Sequence, residues 1–230
     1  MTQVKQIGLR WSNAFLILGR KMVLVDTGCP EDEKTILNSI SDAGKQVSDL
    51  SLILHTHIHI DHCGCTAALK QKSDALVAIH RSESQMFLER KNAPIIPINW
   101  LGKILTPIAR DGHQPCEIDI LIDNALDLHP YGIDGKAIET PGHTPGSISI
   151  ILDNGEVIAG DLLGGGRLLG LFQPGRPRYH HWYSDIDTAQ KSIAQVMNIK
   201  PVKIYAGHGG PLDGQSAIDY FSHKENAPNL

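Results

Sequence analysis

Nine residues in the first third of the chain concentrate metal-binding chemistry: Leu54-His55-Thr56-His57-Ile58-His59-Ile60-Asp61-His62, at the end of the apolar run Leu50-Ser51-Leu52-Ile53-Leu54. Imidazole and carboxylate are the donors that suit zinc and its borderline neighbours. Histidines at alternate positions beyond a strand end can converge on one ion, so His57 and His59 are expected to share one metal. Asp61 and His62 point to a second position beside it. His55 precedes the pattern and is expected to pack at the strand end or to hold a ligand by hydrogen bonding. A lone histidine would favour a packing role, but four ligand-type residues within six positions reverse that preference.

Three more ligand-type residues follow apolar strands: His143 in Thr140-Pro141-Gly142-His143-Thr144-Pro145-Gly146, Asp161 after Gly160, and His208 between Gly207 and Gly209. Glycine and proline around them permit tight turns that aim a side chain at a common point.

The elements that must carry these residues read as alternating strands and helices. Val4 to Leu9, Ala14 to Leu18 and Met22 to Val25 are expected strands, the last ending in Asp26-Thr27-Gly28. A helix follows with apolar spacing at Ile36, Leu37 and Ile40, then the strand before the histidines, and one helix from near Asp61 through Leu69. Ala75 to Ile79 reads as a strand and Ser82 to Arg90 as a helix. Ser147 to Leu152, a turn at Asp153-Asn154-Gly155, and Glu156 to Ala159 ending in Gly160-Asp161 echo the earlier strand pair. A helix over Asp185 to Met197, a strand Val202 to Tyr205 and a helical tail from Asp213, fraying before residues 227–230, complete the pattern. Between Lys91 and Cys116 periodicity fails. Trp100 and several isoleucines there suggest an irregular insertion that either walls a substrate pocket or makes a dimer contact, or is a lid with no ligand role.

With 230 residues and 41% hydrophobic content, the chain can bury a full core, and a single α/β domain over 1–230 with the insertion at 91–116 is expected. A net charge of −4 argues against a nucleic-acid partner. No run approaches the roughly 18 apolar residues of a membrane span, and the N-terminus lacks an apolar leader core, so a cytoplasmic protein without membrane partners is expected. The four cysteines do not form a disulfide framework. Cys63 and Cys65 flank Gly64 near a helix start, where a thiol ionises more easily, although small buried residues explain them as well.

Taken together, His57-x-His59-x-Asp61-His62 followed by His143, Asp161 and His208, with the early Asp26-Thr27-Gly28 turn, resembles the metallo-β-lactamase-fold hydrolases over nearly the whole chain. The resemblance implies an αββα sandwich of two mixed sheets with helices on the outer faces and the metals at one edge. By position, His57, His59 and His143 would bind a first metal, Asp61, His62 and His208 a second, and Asp161 would bridge both. It implies two divalent ions, zinc in the first instance with iron or manganese also acceptable, sharing a hydroxide nucleophile, with Asp61 as the catalytic proton carrier. Asp26 would orient ligands from behind.

Departures from subfamily patterns narrow the chemistry. Asp161 stands where true metallo-β-lactamases carry cysteine or serine, Gly164 stands where acyl-homoserine lactonases commonly carry tyrosine, and the glutathione-binding C-terminal region of glyoxalase II has no counterpart. The expectation is a hydrolase of an ester, thioester or lactone of a small acyl compound. The alternatives are a phosphodiesterase or a mononuclear-iron oxygenase like the persulfide dioxygenases. A homodimer is the default assembly. Arg167, Arg176, Arg178, His180 and His181 form a basic loop expected either to meet a substrate anion or to lie in solvent. Trp182 and Tyr183 beside it are expected either to line the pocket mouth, with Tyr183 a candidate donor to an oxyanion, or to pack in the core.

Overall fold

The computed structural model describes residues 2–106 and 111–223; the stretch 107–110 within the expected insertion and the expected fraying tail lie outside the described residues. Six strands form the first sheet in the order β1-β2-β3-β4-β5-β6. They are β1 (Gln3–Gly8), β2 (Asn13–Leu18), β3 (Met22–Val25), β4 (Leu50–Leu54), β5 (Leu76–His80) and β6 (Ile120–Ile122). Pairing is antiparallel through β1-β2-β3 and parallel from β3 to β6. The parallel strands need crossovers, which the chain supplies as α1 (Glu33–Asp42), α2 (Ile60–Cys63) with α3 (Thr66–Ser73), and α4 (Arg81–Leu88).

Six more strands form the second sheet: β7 (Ala125–Asp127), β8 (Gly135–Glu139), β9 (Ile148–Leu152), β10 (Glu156–Gly160), β13 (Lys203–Ala206) and β14 (Leu212–Asp213), in the order β14-β13-β10-β9-β8-β7. Only β10 and β13 run parallel, joined by α6 (Ile186–Asn198), and α7 (Gly214–Ser222) closes the described chain. A separate hairpin pairs β11 (Gly164–Arg167) with β12 (Phe172–Arg178). The segment expected to be an irregular basic loop is therefore a hairpin. The 91–116 region contains α5 (Trp100–Leu105) and a bridge from Pro97 to Trp182.

Alternation along the strands explains the layering. Phe15 and Ile17 of β2, Val23 and Val25 of β3, and Ile148, Ile150 and Leu152 of β9 meet in a core between the sheets. The opposite faces, including Ala14, Leu16 and Leu24, pack on Ile36, Ile40, Leu69 and Phe87 of the helices. On the far side Val157, Ala159 and Ile204 meet Ala189, Ile193 and Val196 of α6. The order of layers is helix, sheet, sheet, helix. The sequence echo is also topological: hairpin β2-β3 leads to Asp26 with β3 parallel to β4, and hairpin β9-β10 leads to Asp161 with β10 parallel to β13.

No helix among the described residues is long and apolar enough to cross a membrane.

Candidate metal centre

The C-terminal ends of β4, β10 and β13 open at one edge of the sandwich, and the ligand-type residues follow them. His57 and His59 lie just beyond β4, Asp161 just beyond β10 and His208 just beyond β13. His143 comes from the β8-β9 loop, and Asp61 and His62 from α2. Expected as one helix through Leu69, this segment breaks after Cys63: Cys65 leaves the helical conformation, while Gly64 packs against Cys29 and Pro30, where an added Cβ would stand 2.6 Å from backbone.

Four of these rings have the nitrogen facing away from the centre tied to an oxygen. His57 Nδ1 donates to Thr56 Oγ1 at 3.0 Å, which in turn donates to Asp26 Oδ2 at 2.7 Å. His62 Nδ1 donates to the same Asp26 Oδ2 at 2.9 Å, His59 Nε2 to Ala93 O at 3.2 Å and His143 Nδ1 to Trp182 O at 2.8 Å. Fixing the outer N–H leaves the inner nitrogen as a lone pair, the tautomer a metal ligand requires. Asp26 itself is fully buried at φ 60° and also accepts from Thr56 N at 2.8 Å. His55 bonds Thr66 Oγ1 through Nε2 at 3.0 Å, with Nδ1 3.7 Å from Asp26 Oδ1, and faces away from the cluster of inner nitrogens.

The inner atoms crowd together. His59 Nδ1 lies 3.0 Å from His57 Nε2 and 3.3 Å from His143 Nε2. Asp61 Oδ2 lies 3.7 Å from His62 Nε2 and 3.5 Å from His208 Nε2, while Asp161 Oδ2 lies 3.5 Å and 3.2 Å from the same two nitrogens. Two donors at about 2.0–2.2 Å on one tetrahedral ion stand about 3.3–3.6 Å apart, so three of these six gaps match the edges of a coordination shell and exceed an ordinary hydrogen bond. His62 Nε2 and Asp161 Oδ1 are buried with no hydrogen-bond partner. These donors fit divalent metal. His57, His59 and His143 form one group able to hold an ion, and Asp61, His62 and His208 another; Asp161 groups with His57 and His62.

Electrostatics agree. Burial, reinforced by neighbouring imidazoles, holds His57 and His59 well below the ordinary histidine range, leaving neutral donors. Burial pushes Asp161 up, but His208, His180 and His62 together hold its carboxyl well below the usual range. Burial likewise works against a proton on His62, yet Asp161, Asp61 and Asp26 outweigh it and raise the ring well above its usual value. The field that favours an imidazolium there is one that favours a cation.

A cavity of about 440 Å³ opens over these atoms. Asp61, Asp161 and His208 line it, together with the apolar side chains of Trp11, Ile95, Leu105, Leu169 and Trp182. The 91–116 region contributes by stitching itself to residues 181–183: Ile98 N donates to His181 O, Tyr183 N to Ile96 O, and Trp182 Nε1 to Thr106 Oγ1.

The four residues expected as substrate contacts are placed as follows. Trp100 is 71% exposed and absent from the lining, because α5 turns Leu105 inward instead. Arg176 is exposed and Arg178 half-buried on β12, and neither lines the cavity. Tyr183 is buried, its hydroxyl donating to Leu162 O at 2.9 Å and accepting from His180 N at 2.8 Å, so it has no hydrogen to offer a substrate.

His180 is the residue that sequence reasoning set aside. It is 3% exposed and its Nε2 lies 3.4 Å from Asp161 Oδ2. Arginines and prolines before it disguised it as surface; the adjoining Trp182 and Tyr183 were the available sign of burial. Burial works against thiolate formation: it pushes Cys29 and Cys65 up to about 12 and Cys63 well above its ordinary value.

The metallo-β-lactamase superfamily profile matches residues 7–208. The chain belongs to that superfamily. It is 30% identical over 203 residues to a probable metallo-hydrolase of Methanocaldococcus jannaschii, covering 86% of this chain and 87% of that one. It is 28% identical over 218 residues to a probable metallo-hydrolase of Bacillus subtilis, covering 84% and 77%. The fold is that of a metallo-β-lactamase from Novosphingobium pentaromativorans, with a TM-score of 0.68 at 18% identity over 95% of this chain and 83% of that one. As a member of this superfamily, the chain is a metallo-hydrolase with a His/Asp cluster able to bind divalent metal.

Proposed function

We propose that this metallo-hydrolase works with two divalent ions, zinc in the first instance, on an ester, thioester or lactone of a small acyl compound. The observation that carries the reading is the cavity that carboxylate and imidazole donors line together with apolar side chains. His57, His59 and His143 would hold one ion, Asp61, His62 and His208 the other, with Asp161 shared. Bound there, divalent metal supplies a Lewis acid for the scissile carbonyl and lowers the pKa of water to about 7.

The chain's own residues do the rest. Asp26 fixes His62 and, through Thr56, His57 in the tautomers that turn lone pairs inward. The Asp61 carboxylate lines the cavity and is 24% exposed, with Oδ2 turned to His62 and His208. Its Oδ1 takes the proton of the attacking water and returns it to the leaving group. Trp11, Ile95, Leu105 and Trp182 hold the acyl chain and exclude bulk water. Among the described lining residues Arg10 is the one arginine or lysine, with Glu31 also present, a poor match to a phosphodiester and a better one to a neutral carbonyl compound.

The test is metal content per chain on protein purified without added metal, together with turnover of a lactone, an acyl thioester and a bis-aryl phosphodiester. About two zinc ions with acyl-bond cleavage supports the reading. Preferred cleavage of the phosphodiester, or a single iron with oxygen consumption and no hydrolysis, overturns it. Asp161→Ala is expected to abolish turnover with the fold retained by circular dichroism; full turnover would remove the shared carboxylate from the scheme.

A further inference from the structure

Five imidazoles, not four, surround Asp161 Oδ2. His57, His62, His143 and His208 approach it with Nε2 at 3.9, 3.5, 3.6 and 3.2 Å, and His180 Nε2 at 3.4 Å. Four of them belong to the set the superfamily pattern supplies; His180 does not. One carboxylate oxygen has two lone pairs, so it cannot accept hydrogen bonds from five rings.

His180 is built into the site. Its ring lies edge-on to His143 at 4.8 Å and stacks on His208 at 5.2 Å, touching one member of each proposed metal group. Its backbone N–H is held by the buried Tyr183 hydroxyl, which is anchored to Leu162 O in the loop after Asp161. Neither ring nitrogen makes a hydrogen bond, although both are buried. A buried imidazole with two unsatisfied nitrogens is costly unless something outside the chain completes it. The Nε2 to Asp161 distance is again the edge of a coordination shell, and His143, Asp161 and His180 can meet on one cation.

The geometry points to His180 as a further metal donor, joining His143 and Asp161 on the first ion and giving the site an eighth protein ligand. This rests on the reading of the cluster as a metal centre. On this assignment the first ion has one fewer position open to solvent, and His180 locks the end of β12 to the metal.

Cobalt binding to the full chain tests it without reference to activity. In protein carrying 15N-histidine, cobalt is expected to give the ring nitrogens of six histidines the large through-bond contact shifts of direct ligation, where the superfamily set alone gives five. His180→Ala and His180→Asn are expected to bind one cobalt at least about 10-fold more weakly in chelator competition. His181→Asn, altering a ring bonded only to Asn99, should leave the affinity unchanged. Five shifted rings, or unchanged affinity in the His180 variants, overturns the assignment while the metal centre stands. Wild-type protein that binds no cobalt removes the metal centre, and the assignment with it. If the variants do not fold, the wild-type count decides alone.

Discussion

Asp26 shows how much of the site depends on a group outside the ligand set. Its carboxylate satisfies Thr56 N, Thr56 Oγ1 and His62 Nδ1 from a fully buried position, and burial, which opposes its charge, is outweighed by His62 and His55. Asparagine tolerates the left-handed backbone at this position but offers one acceptor oxygen where the carboxylate offers two. Asp26→Asn is expected to weaken metal binding by about 10- to 100-fold. Asp26→Ala should in addition cost about 3 kcal/mol in urea unfolding, since buried donors lose their acceptor. Normal metal affinity in either variant would make Asp26 a simple turn residue. At this scale the clustered His-Asp motif was legible because its spacing is unusual in any other context. His180 was not, since burial of a ring depends on what the rest of the fold brings against it. Tyr183 illustrates the reverse error: an aromatic hydroxyl near a site reads as a donor, yet Leu162 and His180 consume both of its bonds.

At the scale of elements, strands were easier to read than the segments between them. Runs such as Leu52-Ile53-Leu54 and Ile148-Ser149-Ile150-Ile151 bury both faces and are plain in sequence. The break between α2 and α3 and the β11-β12 hairpin depend on contacts from distant segments. Gly207, at the end of β13, is one such contact: a Cβ there would stand 2.1 Å from Asp161 Oδ1 and 2.8 Å from His62 Cε1. Gly207→Ala is expected to lower metal affinity by more than about 10-fold by displacing both ligands, read by chelator competition; unaltered affinity would show that the strand end yields. Helix α4 acts on the site differently. Its buried Glu83 accepts from Ile58 N at 2.6 Å through Oε2 and from Gly146 N at 2.9 Å through Oε1, joining the His57/His59 loop to the His143 loop. Burial raises the Glu83 pKa above its ordinary value. A raised folded pKa gives stability that is complete below the unfolded pKa and is lost as pH rises through the folded one. The stability difference between wild type and Glu83→Gln, from urea unfolding at a series of pH values, should therefore shrink as pH rises above the ordinary carboxylate range. A gap that widens with pH would contradict the raised pKa.

For the whole molecule, the arrangement of two sheets explains why one edge carries the chemistry. β4, β10 and β13 each run parallel to a neighbour, and their C-terminal ends meet where the layers open. The weak repeat of hairpin, aspartate and parallel strand was visible in sequence because Val23 to Gly28 and Val157 to Asp161 share a pattern; how the halves face each other was not, because no local preference encodes it. The price of this convergence is a buried group of five imidazoles around one carboxylate. These rings and the carboxylate bring donor atoms within 3.0–3.9 Å of one another, an arrangement that a cation stabilises. Anything that binds the folded state alone stabilises it, by about 2.7 kcal/mol when the free ligand is 100-fold above its Kd. For a chain of 230 residues, that corresponds to a rise in Tm of roughly 5–10 °C. Thermal unfolding of chelator-treated protein should therefore begin several degrees lower than that of protein with zinc restored, and the Tm should climb with the logarithm of free zinc. A Tm independent of metal would mean that the cluster balances its own charge, and the metal centre would have to be abandoned for this chain.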